Sequence, residues 1–150
     1  MAIKRQQIVD AVATRLGTIL TTAGYHTNLG SNVFEWKGTK FEAREMPGID
    51  VRDTVDEIDH RSIDTPTNVD THRLTVMLSL AVDGSTSTDS VREMIADVYK
   101  AIGTDPTFGA LAIDSWVVKD EVDTEQEELR ISGVEIEIAV LYRTSLFQES

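Results

Sequence analysis

Cysteine is missing from this 150-residue chain, which excludes disulfide staples, thiolate nucleophiles and cysteine-ligated zinc. Long apolar runs are missing as well: none approaches the eighteen or so residues of a bilayer-spanning helix. The opening Met1-Ala2-Ile3-Lys4-Arg5-Gln6-Gln7 leads into a polar-interrupted segment rather than a signal-peptide core. The expectation is a soluble chain made and used in a cytoplasm. Lys and Arg do not cluster, and binding nucleic acid by neutralising phosphates requires that they do. There is no nucleophile elbow and no phosphate-binding glycine loop, since Gly24, Gly30, Gly38 and Gly48 have the spacing of turns.

What remains is an ordinary globular composition, 41% hydrophobic and 27% charged, in a length that suits one domain with a core of its own. The net charge of −12 is concentrated in two places. Residues 42–70 hold nine acids against three arginines, and residues 119–130 hold six acids against two bases. Such segments solubilise a protein, complement a basic partner, or line a passage through which DNA slides without sticking.

Periodicity predicts the elements. Ile8, Val12, Leu16, Ile19 and Ala23 repeat at three- and four-residue steps, which predicts a helix over 3–23 ended by Gly24. Short extended segments are expected at 25–27 and 33–36, and a strand after Pro47-Gly48 with Ile49, Val51 and Val55 on one side. Residues 56–70 read as a long polar loop. Leu74, Val76, Leu78 and Leu80 alternate through a strand over 72–82. A second helix near 90–103 places Val91, Ile95, Val98 and Ile102 on one face, with Ser90 (and Glu93) or Thr86 (and Asp89) as its cap. Strands over 111–122 and 129–142 follow, joined by an exposed acidic connection at 120–128. The expected fold is α+β, a single domain over 1–150. Its mostly antiparallel four-stranded sheet has the N-terminal helix and the second helix packed on one face.

Residues that carry chemistry are few. Asp53, Asp56, Glu57, Asp59, His60 and Asp64 form the densest polar cluster, with Asp70 and His72 nearby. Their spacing matches neither an EF-hand loop nor a zinc helix, so a solvated acidic loop is the expectation, with a metal-dependent hydrolase as the rival. Glu35-Trp36-Lys37 has the Glu-x-Lys spacing of many nucleases, but its nearest upstream aspartate, Asp10, lies inside the first helix. The three histidines are scattered, and Trp36 and Trp116 are expected in the core. Tyr142 and Arg143, at the end of the last strand, read as a cap on the sheet or as a subunit contact. No catalytic residue, metal ligand or cofactor is assigned. A free-standing adaptor for a basic partner is a further alternative.

Several segments in order carry a family likeness: Ala23-Gly24-Tyr25 ending the first helix, Pro47-Gly48-Ile49-Asp50-Val51, and Thr71-His72-Arg73-Leu74-Thr75-Val76. Ile95-Ala96-Asp97-Val98-Tyr99-Lys100-Ala101-Ile102, Asp105-Pro106-Thr107-Phe108-Gly109 and Val140-Leu141-Tyr142-Arg143-Thr144 complete the set. Together they resemble the tail terminator and tail-completion proteins of long-tailed bacteriophages. The resemblance implies a virion protein, assembled in the host cytoplasm as a ring of six subunits on the head-proximal end of the tail tube. It implies the tail tube protein and the head completion or neck proteins as partners, passage of DNA without specific binding, and no membrane. Other neck or minor tail proteins share the pattern. On this reading Asp53, Asp56, Glu57, Asp59, Arg61, Asp64, Tyr142 and Arg143 lie at a subunit or tube interface. Glu121, Asp123, Glu125, Glu127 and Glu128 lie on an exposed or lumenal surface.

Overall fold

A computed structural model describes residues 3–63, 69–82, 86–125 and 130–145. Helix α1 spans Lys4–Leu16, strands β1 and β2 span Val33–Glu35 and Gly48–Ser62, and β3 spans Val69–Ala81. Helix α2 follows over Thr88–Thr104, then strands β4 over Asp114–Glu125 and β5 over Arg130–Ser145. The strands form one sheet in the order β1-β2-β3-β5-β4. Among the described residues only the β1–β2 pairing is parallel. The sheet therefore has five strands, not the expected four, because Val33–Glu35 pairs along Ile49–Val51.

Both helices cover the same face. Leu74, Val76, Leu78 and Leu80 of β3 stand opposite Val140, Ile138, Ile136 and Val134 of β5, and all eight are buried. Ile8, Val12 and Leu16 of α1 and Val91, Val98 and Ile102 of α2 close over them. Each such side chain contributes about 1.5–3 kcal/mol by leaving water.

The departures from expectation have local causes. Helix α1 stops at Leu16 because the Thr18 and Ile19 N–H groups donate three residues back, to the Arg15 and Leu16 carbonyls, and the Thr18 hydroxyl also bonds to the Arg15 carbonyl. Ile19 is nevertheless buried, and its carbonyl accepts from Gly30 N–H at 2.8 Å. Residues 25–27 are not a strand: the His26 and Thr27 N–H groups donate to the buried Asp97 carboxylate of α2, at 3.0 and 2.8 Å. The cap of α2 is Ser87, whose hydroxyl accepts from Ser90 N–H; neither Ser90 nor Thr86 fills that place.

The largest correction concerns residues 56–70. Their first part is not a loop: β2 runs on to Ser62, paired with β3 through Ser62↔Val69. A bulge at Thr54 decides which side chains face inward. Ile49, Val51 and Asp53 alternate onto the helix-covered face, opposite Leu80, Leu78 and Val76. One extra residue then puts Val55 opposite Thr75 on the open face and Asp56 opposite Leu74 on the covered face. Val55, expected among the apolar inward residues, is 50% exposed. Likewise Asp120–Glu125 belongs to β4 and is not a connection, and β4 begins at Asp114 rather than 111.

Leu78 is fully buried at the centre of the sheet. Leu78→Ala is expected to cost about 2–5 kcal/mol through lost transfer energy and the cavity left behind. Equilibrium urea unfolding reads this directly, through a lowered midpoint with an unchanged slope.

Candidate functional site

The bulge turns Asp56 into the centre of a buried polar network where α1 crosses the sheet. Its carboxylate accepts the Tyr142 hydroxyl of β5 in a short hydrogen bond and faces His72 Nδ1 of β3 at 3.1 Å. A carboxylate only accepts, so Nδ1 carries the imidazole proton; in the neutral ring Nε2 accepts from the Thr144 hydroxyl at 2.8 Å. The His72 and Tyr142 rings stack with centroids 4.5 Å apart. Arg5 of α1 closes the network, with Nε 2.6 Å from Asp53 and Nη1 3.8 Å from Asp56.

Asp56, His72 and Thr144 follow the carboxylate–imidazole–hydroxyl order of a nucleophilic triad. Thr144, however, keeps only 4% of its surface, and a substrate carbonyl has no approach to that hydroxyl. Its geometry serves as a tie between strands. Histidine, tyrosine and threonine here were readable from sequence only as inward positions of alternating strands. Their convergence on Asp56 depends on Thr54 being looped out.

A cleft of about 240 Å³ borders the network, lined by Ile3, Arg5, Gln6, Glu35, Trp36 and Asp53 among others. Trp36 does not enter the core: it is 52% exposed, at φ 50°, a left-handed conformation that costs a bulky residue about 1–3 kcal/mol. Its indole N–H donates to Asp53 at 2.7 Å, and the Arg52 guanidinium lies 5.1 Å from the ring centroid. Trp116 is also outside the core, 37% exposed on the open face with Arg73 at 5.6 Å.

The Glu-x-Lys pair has diverging partners. Lys37 reaches Glu45 at 3.1 Å and lies over the Phe34 ring, whereas Glu35 lies near Asp10 of α1. The upstream aspartate that sequence placed out of reach thus comes beside Glu35. Among the described residues no group of three or more acids or histidines has the arrangement of a metal site.

These contacts set the charges. Burial raises the Glu35 carboxyl above its ordinary 4.5, and the hydrogen bond and negative charge of Asp10 raise it further. Burial pushes Asp53 up as well, but hydrogen bonds from Trp36 and Arg5 outweigh it and hold the carboxyl below its ordinary 3.8.

Of the residues assigned to an interface from sequence, Asp53, Asp56 and Tyr142 are drawn together inside the chain. Arg61 forks onto the buried Asp70 at 2.7 and 3.1 Å. Glu57, Asp59 and Arg143 are exposed, and Arg143 offers its carbonyl to Lys4 at 2.9 Å. Asp64, Glu127 and Glu128 lie outside the described residues, as does the side chain of Glu125. Glu121 is exposed opposite Glu135 on the open face, and Asp123 is half-buried.

No family model and no curated protein matches the chain. Among solved structures it is similar to a chain of one titled "Virion of native gene transfer agent (GTA) particle", with a TM-score of 0.50 and 9% identity. The match covers 91% of this chain and 94% of that one. The likeness is one of fold.

Two outcomes follow from the network. Asp56→Ala strands the Tyr142 hydroxyl and the Nδ1 side of His72 and is expected to cost about 3–5 kcal/mol. Tyr142→Phe should cost about 1.5–3 kcal/mol. A double-mutant cycle in urea measures their coupling, and additive losses would contradict the network.

The second outcome concerns pH. Asp53 gives up its proton more readily when folded, so its contribution is present above pH 3.8 and lost as pH falls through its depressed folded value. Glu35 has the opposite sign: its ionised form weakens the fold at neutral pH, and that penalty fades as pH falls through the raised value to 4.5. Thermal melts should show Glu35→Gln more stable than the parent at pH 7 but not at pH 3, and Asp53→Asn less stable at pH 7 with a flatter decline below pH 4.

Proposed function

We propose that this chain is a structural component of a phage-like virion: a tail terminator or tail-completion subunit that acts by docking and makes or breaks no bond. The supporting observation is the fold shared with a chain from a gene transfer agent virion, which extends over nearly the whole of both chains. The order of segments that resembles tail terminators narrows the reading to the head-proximal end of a tail tube, in a ring of six copies.

The architecture suits that role. A sheet braced by two helices and a buried ionic tie is a stiff unit, and assembly surfaces must keep their shape between partners. The outer half of β2 carries the exposed Glu57 and Asp59 and is the contact to the tube or the neighbouring subunit. The open face of the sheet carries Glu121, Glu135 and Glu137 and is the lumenal surface, whose negative charge repels DNA phosphates and keeps the passage clear. Head completion or neck proteins bind the opposite rim.

Electron microscopy of particles assembled without this chain provides the test. Tails of uncontrolled length, or tails detached from filled heads, are the expected phenotype. Tails of normal length joined to heads would contradict the proposal, and restoration by the Glu57→Lys/Asp59→Lys double variant would remove the outer half of β2 from it.

A further inference from the structure

The cleft beside the buried network combines three kinds of wall. Ile3 and Val9 make one side apolar, Trp36 makes another aromatic, and Glu35 and Asp53 supply carboxylates. At about 240 Å³ it falls below the roughly 300–1,000 Å³ of small-molecule pockets and has the size for one long side chain. Glu35 and Trp36 are both exposed, so a group arriving from solvent reaches them without rearrangement of the core.

The charges around this cleft do not balance. Arg5 is its cation, and Asp53 and Asp56 hold that guanidinium at 2.6 and 3.8 Å. The neighbouring cations are engaged as well, Lys37 with Glu45 and Arg52 with Asp50. Glu35 meets instead a second acid, Asp10, together with Gln6, which donates to Asp10 at 2.8 Å. The negative charges of Asp10 and Asp53 both oppose ionisation of Glu35. Carboxylates placed side by side call for a proton or a cation, and a cation from outside relieves the repulsion.

Trp36 narrows the choice of cation. Its indole N–H is tied to Asp53 at 2.7 Å, which sets the ring before a partner arrives. Arg52 rests 5.1 Å from the ring centroid but does not line the cleft. The half-exposed indole surface that does line it is open to a second guanidinium. A planar guanidinium stacks on indole, forks onto carboxylates and gives up water more readily than an ammonium does. Its methylene stem suits the side made by Ile3 and Val9.

We infer that this cleft receives the side chain of an arginine presented by a partner protein, with the guanidinium against Trp36 and forked onto Glu35. Asp10 stands behind Glu35 and adds attraction, while Asp53 holds the ring in place. Such a site is independent of the ring reading above and goes beyond it. It specifies the chemistry, a protruding arginine, that a partner docking at this edge supplies.

The chain has two tryptophans, so in a full-length Trp116→Phe variant indole fluorescence reports Trp36 alone. A capped glycine-arginine-glycine tripeptide is titrated in, beside the same peptide with lysine or uncharged citrulline at its centre. The arginine peptide should give a saturable change, and the other two should bind at least about tenfold more weakly. Adding Glu35→Gln should weaken the arginine peptide about tenfold. That substitution is expected to gain stability at pH 7, so unfolding does not account for the loss. Equal binding of the citrulline peptide would overturn the role of charge, and equal binding of the lysine peptide the role of the guanidinium. No saturation with any peptide would overturn the site. Tighter binding of spermidine would reassign the cleft to a free polyamine and overturn the partner side chain.

Discussion

A carboxylate cannot leave water without partners, and the fold is arranged around satisfying that demand at Asp56. Its oxygens face Tyr142, His72 and Arg5, which come from β5, β3 and α1. One buried charge thereby fixes the first helix against three adjacent strands. The apolar core alone would permit that helix to slide, since hydrophobic contact has no direction. The ion pair and hydrogen bonds do have direction, and they hold α1 in one position over β2, β3 and β5.

A second tie works at the far end of the helices. Arg15 of α1 donates to the carbonyls of Ala101 and Asp105 at the close of α2, and its guanidinium lies 5.1 Å from the Phe108 ring centroid. The Asp105 carboxylate collects the Thr107 hydroxyl and the Thr107 and Gly109 N–H groups, which forms the turn into β4. With both ends tied, directed contacts join the helix layer to itself and to the sheet. One face of the sheet is sealed and the other is left to solvent. A fold of this kind says little about chemistry, because function resides in the surfaces it presents.

Much of this was legible in the amino-acid order, and particular residues show why. Leu74, Val76, Leu78 and Leu80 alternate without exception, and β3 runs through them as expected. In α2, Val91, Val98 and Ile102 face the core at the expected steps, with Ile95 packed at its margin. Elsewhere composition misled. Asp56-Glu57-Ile58-Asp59-His60-Arg61 looked like a solvated loop because its polarity obscured a strand held by its partner β3. Trp36 and Trp116 looked like core residues because aromatic rings usually are; here each lies outside the core near an arginine side chain.

The two layers, the strong central strands and the second helix are written in the amino-acid order, since period and apolarity are local properties that burial then rewards. So are the acidity and the lack of thiol chemistry. Which polar residues meet is settled by the folded arrangement. The parity of β2 after Thr54, the convergence of Asp56, His72, Tyr142 and Arg5, and the approach of Asp10 to Glu35 each depend on the register between distant segments. Register is set by the best joint packing of the whole sheet, and no single strand's alternation contains it.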